Sequence, residues 1–489
     1  MKKYISIITV FFAIGITGCK KGYLDQEVNP NSPSVTTPQY TLAGAEVTSA
    51  AIIVNDYQEY GVWAGYWCNA NDYTPSPLLA DFNISLTNQP SNDAWDDLYP
   101  NLTNYNNLQT TSAAVPADAY FEAIGMIMKV YDFEQLVDNY NNVPYSQAFQ
   151  SATILFPAYD SGQSIYNDLV KQLDAAIALI QKSGSSATDP GTSDIIYGGN
   201  MTNWAKFANT LKLRLAINQS DLGTNTAASD LASTSSVGYI DESSEANAQP
   251  GYNDAAGKEN PFYVDFGLDQ NGNPTFGNLY YQANVIAVSL MQSFNDPRAN
   301  YYYLPISGAI VTDDLGDTHN NPQVASSIGP GLLKSPSQAQ PVFSAYESDF
   351  LQAEAAARGY ISGSAATLYM QGITDSFTDL GAPGAATYEA QTSVAYPTGT
   401  AATLAAQVQA IIQQKYISLN GYFNLQAYND YRRTGYPVLP NPASADPGAL
   451  STTIPTRIPY PYSEVTTNNV VLAKQGNIDI FTSKIFWAQ

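Results

Sequence analysis

Forty-three acidic side chains, five tryptophans and a single histidine bound the chemistry open to this chain of 489 residues. The histidine, His319, sits in the polar run Asp317-Thr318-His319-Asn320, with no second His or Cys at metal-ligand spacing. No Gly-x-Ser-x-Gly turn supplies a nucleophile for a Ser-His-Asp arrangement. A zinc-protease helix, a phosphate loop and a clear dinucleotide fingerprint are also missing from the sequence. Two carboxylates could still cleave a glycosidic bond. Asp93, Asp96 and Asp97 are candidates, although 43 acids make such pairs easy to find. Asp269-Gln270-Asn271-Gly272-Asn273 looks faintly like a calcium loop. Its glycine is misplaced and its twelfth position is Tyr280, not Glu, so an ordinary turn is expected.

The remaining chemistry is aromatic. Residues 57–105 hold three of the five tryptophans, Trp63, Trp67 and Trp95, with Asn69, Asn71 and Tyr73 among them. A Trp face stacks on the apolar side of a sugar ring, and amides hydrogen-bond its hydroxyls. Trp63, Trp67 and Tyr73 lie beside Gly61, Gly65, Pro75 and Pro77, which favours loops, and loops concentrate binding residues. An aromatic platform of Trp63, Trp67 and Tyr73, with Asn69 and Asn71 as hydrogen-bond partners, is therefore expected. The competing expectation is that these rings are core. Phe262 and Tyr263 could complete the platform, and the tyrosines at 301–303 are the fallback. Trp95 reads as core, because Trp95, Leu98, Tyr99, Leu102 and Tyr105 follow helical spacing.

The elements that must position these residues read mainly as helices. Val130, Phe133, Val137 and Tyr140 recur at three and four spacings within 120–140. Ile165, Leu169, Leu173, Ala176 and Ile180 do so within 163–182. Trp204, Phe207, Ala208, Leu211 and Leu215 do so within 201–219. Further helices are expected at 344–361, 363–380 and 403–420. The pair split by Ser362-Gly363 has the form of a tetratricopeptide hairpin, and Ala353, Ala355, Ala356 and Ala357 let a neighbour approach. Between these blocks, about 221–340 is rich in Gly, Pro, Asn, Asp and Ser, with a helical island near 279–294. The tail from 434 reads as Pro-rich and mostly irregular. Helices at both ends of one irregular middle argue for a single body with large insertions.

The start of the chain has a different character. Lys2 and Lys3 precede an apolar run from Ile5 to Ile16, too short to span a bilayer, and then Thr17-Gly18-Cys19. This is an export signal, and its end resembles the lipobox of bacterial lipoproteins, which implies a lipid on Cys19. The expected organisation is a signal peptide at 1–18, a lipidated tether at 19–40 and one domain at 41–489. Losing Lys2 and Lys3 moves the formal charge from −23 to −25. Nucleic acid and anionic lipid surfaces are therefore electrostatically excluded as partners. Charged residues are only 13% of the chain, about half the usual ~25%, and 36 tyrosines help fill the difference. Such an uncharged polar surface suits sugars or peptides. With Cys19 lipidated, Cys68 has no partner for a disulfide, so stability rests on packing.

Seven segments carry a family resemblance. They are Asn29-Pro30-Asn31, the run from Trp204 to Leu215, Asn295-Asp296-Pro297-Arg298, the run from Phe350 to Tyr360, Gln414-Lys415-Tyr416, the run from Tyr431 to Pro437, and the run from Arg457 to Pro461. In this order they resemble the SusD/RagB-like outer-membrane lipoproteins of Bacteroidetes-type bacteria, in particular the SusD-like second branch. The resemblance implies a mainly α fold of tetratricopeptide-like hairpins with a large irregular, loop-rich lobe. It implies a lipid-anchored outer-membrane protein, facing the cell surface, that captures a nutrient. That nutrient is usually a glycan and in some relatives a peptide, passed to a TonB-dependent β-barrel of the SusC type. It implies no catalysis and no cofactor. The contrasting class is a secreted two-carboxylate glycosidase.

Overall fold

The computed structural model describes residues 36–69, 94–223, 226–314, 324–439 and 453–488. Its helices are α1 (Pro38–Asn55), α2 (Gln58–Trp63), α3 (Ala94–Ala113), α4 (Ala119–Tyr140), α5 (Gly162–Ser183) and α6 (Met201–Asn218). A lobe follows, with α7 (Pro261–Phe266), α8 (Phe276–Tyr280) and α9 (Val285–Ser293). The chain then returns to long helices at α10 (Ala345–Ala357), α11 (Ala365–Leu380), α12 (Leu404–Leu419) and α13 (Asn424–Thr434). The molecule is mainly α, as expected. Helices pack in successive pairs, α3 on α4, α5 on α6, α10 on α11 and α12 on α13. This is the tetratricopeptide-like arrangement.

Local chemistry explains where these helices begin and end. Ser161, Asn200, Ser344, Ser364 and Thr403 each accept a hydrogen bond from a first-turn backbone N–H, which satisfies a donor that no helical partner reaches. Gly381 and Gly435 close α11 and α13 at φ +67° and +72°, a conformation costly for side chains with a Cβ. Gly125 lets α4 approach α3. A Cβ there would lie 3.0 Å from the Gln109 nitrogen and 3.1 Å from the Tyr105 oxygen.

The bundle centres on α4, buried along almost its whole length against α3, α5 and α6. Charged groups are locked inside it. On α6, Arg214 Nε donates to Glu134 Oε1 of α4 at 3.0 Å, and Nη1 donates to Glu347 Oε1 of α10 at 3.2 Å. Its guanidinium lies 4.5 Å from the Phe343 ring centroid. Arg433 of α13 donates to both carboxylate oxygens of Glu354 on α10, each at 2.7 Å. Bidentate geometry of this kind compensates the desolvation of both charges.

Sheet structure is confined to short ladders. In the first, β1 (Trp67–Asn69) runs antiparallel to a lobe strand, Tyr281–Ala283, with Trp67 opposite Ala283 and Asn69 opposite Tyr281. This ladder joins the segment after α2 to the lobe. Two boundaries depart from expectation. Helix α1 takes in residues 38–40, assigned above to the tether, because Pro38 occupies a first-turn position where its missing N–H costs nothing. The helix α13 extends regular structure to Thr434 in a stretch with no expected element.

Candidate functional site

The platform expected at Trp63 and Trp67 does not face solvent. Both rings are 1% exposed and belong to the core. Trp63 is enclosed by Tyr60 at 5.2 Å and Tyr428 at 5.5 Å. Trp67 lies 5.2 Å from Phe266 and 5.3 Å from Tyr281. The neighbouring glycines serve packing rather than an open loop. A Cβ on Gly61 would sit 2.5 Å from a Trp67 ring carbon, and Gly65 turns the chain at φ +77°. Phe262 is likewise core, 1% exposed, between Phe266 at 4.6 Å and Tyr422 at 4.8 Å. The fallback tyrosines are mostly interior too. Tyr302 and Tyr303 are buried, donating to the Ser418 and Tyr66 carbonyls, and Tyr301 is half-buried. Trp95 is core as expected, edge-on to Tyr140 at 5.1 Å.

The structure does bring Trp67 and the aromatics of 262–281 together, as a scaffold beneath a surface. That surface is the hairpin of α7 and α8. Asn260 caps α7 by accepting from the Tyr263 N–H at 3.0 Å, and Thr275 caps α8 by accepting from the Asn278 N–H at 3.3 Å. Thr275 Oγ1 donates to the Asp265 carbonyl at 2.7 Å, and Asn278 Nδ2 donates to the Phe266 carbonyl at 2.7 Å. Gly277 allows the two arms to touch, since a Cβ there would lie 2.4 Å from the Asp265 oxygen. The connecting turn is closed by Asp269, whose carboxylate accepts from the N–H groups of Asn271 and Asn273, both at 2.8 Å. Those bonds, led by Asn273, hold its carboxyl below the usual range. The carboxylate thus serves its own turn, which fits the turn reading of this segment.

On this rigid base four large apolar side chains face outward, Val264, Leu268, Phe276 and Leu279. Phe276 is 62% exposed and stacks on Tyr280 with centroids 5.0 Å apart and planes 19° from parallel. Tyr263 is half-buried beside them. Asp265 is the acidic group of the hairpin helices. It accepts from Gln58 Nε2 of α2 at 3.0 Å, and Gln58 Oε1 in turn accepts from the Tyr281 hydroxyl at 2.9 Å. Burial pushes the Asp265 carboxyl up to about 6, against the lowering effect of the Gln58 bond. The arrangement offers a stacking face, an aliphatic rim and a small polar network.

Asn69 ends β1 at the foot of this hairpin, its backbone paired with Tyr281. Asn71 and Tyr73 follow it but lie outside the described residues, as do Cys19, Asp93 and His319. Sequence reasoning missed Phe276 and its aliphatic neighbours. The available signal was two short apolar clusters flanking the polar turn 269–275, with too few residues for any periodicity to bury them.

Asp96 and Asp97 are exposed in the first turn of α3, where acids favour the helix N-terminus, and Asp96 accepts from Ser463. Among the described residues no group of three or more His, Cys, Asp or Glu side chains is placed to hold a metal ion. No described helix is long and apolar enough to cross a membrane. Cys68 is buried within β1, its thiol donating to the Ala283 carbonyl at 3.4 Å, and burial pushes that thiol up.

Comparison with known proteins identifies a family profile, SusD-like_2, described as starch-binding associating with outer membrane, that matches residues 30–461. A chitin-binding SusD homologue from Flavobacterium johnsoniae superposes with a TM-score of 0.77 at 23% identity, covering 91% of this chain and 98% of its own. A SusD homologue from Bacteroides uniformis gives 0.72 at 23% identity, covering 92% and 99%. A SusD-like protein from Bacteroides thetaiotaomicron gives 0.72 at 22% identity, covering 91% and 98%. At these identities the structural likenesses establish the fold. A search of curated sequences finds no match.

Proposed function

The chain belongs to the SusD-like_2 family, and on that footing we propose that it captures a nutrient oligosaccharide at the outer membrane and passes it to a TonB-dependent, SusC-like transporter. Capture proceeds without turnover, and the protein is held through lipid on Cys19 after removal of residues 1–18. The observation that carries the reading is the family match across residues 30–461, on a chain whose lobe presents an exposed aromatic on a braced hairpin. An apolar ring face takes up the C–H face of a sugar, while neighbouring amides and carboxyls bond its hydroxyls. We assign first contact with the glycan to Phe276, with Tyr263 of the same hairpin and, at the end of β1 and next in sequence to it, Asn69, Asn71 and Tyr73 as further contacts. Trp67 and Phe262, both packed on Phe266, support that surface from beneath.

The test is calorimetry with a panel of chitin and starch oligosaccharides, and with a mixed peptide library as control. Binding of at least one glycan, with no new reducing ends after prolonged incubation, is the expected outcome. Binding of peptides alone moves the assignment to RagB-like peptide capture, a reading that the aliphatic rim of Val264, Leu268 and Leu279 also supports. Turnover abolished by a single Asp→Asn change moves it to a glycosidase.

A further inference from the structure

Glu46 and Asp194 form a carboxyl pair inside the protein, away from the candidate site. Glu46 lies on α1, the helix that follows the tether, and is fully buried. Asp194 lies on the connection between α5 and α6 and is 2% exposed. Asp194 is saturated with donors. Its Oδ1 accepts from the N–H groups of Ile196 at 3.1 Å and Tyr197 at 2.9 Å. Its Oδ2 accepts from the Gly199 N–H at 2.8 Å and from Trp204 Nε1 at 2.7 Å. Four N–H donors thus occupy both Asp194 oxygens as acceptors. Glu46 receives one donor, the Ile195 N–H at 2.8 Å to Oε2, and its buried Oε1 has no N–H partner. The Ile195 N–H that Glu46 accepts belongs to the residue directly after Asp194, so the two buried carboxyl groups are neighbours. Two adjacent buried anions, one of them with a single N–H donor, are not a stable arrangement, so one proton must sit on the pair, and the donor count, four on Asp194 against one on Glu46, puts it on Glu46.

Among the described residues no cation offsets this. Facing Glu46 are Asp194 on the loop and the Tyr105 hydroxyl on α3, with Asp132 of α4 beyond Tyr105. Tyr197 faces Asp194 from the same loop, and Asp189 is exposed and caps Gly191. The strands Ala246–Ala248 and Gln340–Phe343, which also pack on α1, bring no titratable group. On α7, Tyr263 is half-buried and Asp265 is bonded to Gln58, beyond the C-terminal end of α1.

We propose that Glu46 is a proton-operated latch that fastens α1 to the 188–200 loop. Protonated, it donates to Asp194 and accepts from Ile195, so helix and loop share a closed hydrogen-bond circuit. When the proton leaves to solvent, two carboxylates face each other without a counter-charge, and α1 loosens from the body. Burial first, and the Asp194 charge second, raise the Glu46 carboxyl above its usual range. The sign follows. The folded protein keeps a proton that the unfolded chain surrenders above about pH 4.5, so the latch weakens as pH rises through that value toward the folded titration point.

Other buried carboxyls also titrate, so the test compares Glu46→Gln with the wild type. A glutamine amide donates to Asp194 and accepts from Ile195 but has no proton to lose. The two proteins should melt within about 1 °C of each other at pH 4.5. The variant should lead by at least ~2 °C at pH 8, with slower hydrogen exchange in 38–55 and 188–200. Parallel melting curves from pH 4.5 to 9 would overturn the latch. If the variant does not fold, Asp194→Asn, which removes the charge but not the burial, should end its excess proton release on unfolding at a lower pH than the wild type does. Coincident profiles of proton release against pH would overturn it as well.

Discussion

In the bundle, α4, α6 and α10 meet around Arg214, with Glu134 and Glu347 closing on its guanidinium and Phe343 beneath it. In the lobe, α7 and α8 meet around hydroxyl and amide bonds to backbone, with Val264, Leu268, Phe276 and Leu279 on the outside. One region hides its charges and the other displays its apolar groups. Long helices can enclose an ion pair because their own backbone groups are already satisfied. Helices of five or six residues cannot cover both faces, and what they leave uncovered is available to a ligand. The contrast separates the part of the molecule that resists change from the part to which we assign ligand contact.

The comparison is broken most severely at Arg214. Arg214→Ala leaves two buried carboxylates without their counter-charge and should cost ~3–5 kcal/mol. Urea denaturation should report this as a lower midpoint with little change in slope. Within the lobe, Trp67→Ala and Phe276→Ala should part company. The first removes a core ring at a likewise ~3–5 kcal/mol. The second should cost under ~1 kcal/mol in stability but weaken glycan binding about tenfold. Calorimetry beside thermal melts separates the two, and a Phe276→Ala protein that binds normally removes the hairpin from the site. The smallest effect belongs to Asp265. Its folded carboxyl titrates at about 6, above the usual ~3.9, so its contribution to stability declines as pH rises between those values. Asp265→Asn should therefore match the wild type near pH 4 and exceed it by on the order of 1 kcal/mol above pH 7.

Much of the bundle was legible in the sequence, because α4, α5, α6, α11 and α12 each carry an apolar stripe at helical spacing. Two helices were not. In α1 apolar residues surround the axis, and Glu46 among them reads as surface unless its partner Asp194 is known. In α13 the composition is polar, Asn424-Leu-Gln-Ala-Tyr-Asn-Asp-Tyr-Arg-Arg-Thr434, yet nearly every residue is buried. Its burial depends on Glu354 and Lys415, which lie far off in sequence. The exposed platform expected at Trp63 and Trp67 is core for a related reason. Gly61 and Gly65 suggested an open loop around Trp63 and Trp67, whereas one glycine makes room for an indole and the other makes a turn. A glycine marks close approach as readily as exposure, and only the fold tells them apart.

The ladder of Trp67–Asn69 with Tyr281–Ala283 has an evolutionary consequence. It clamps the chain at Asn69, and the opposite strand directly continues the hairpin that carries Phe276. Sequence inserted, lost or exchanged just after Asn69 starts from the same backbone register, with no demand that the core be solved again. The ladder is thus a graft point. It gives an engineer the residue at which to splice new sequence into this frame.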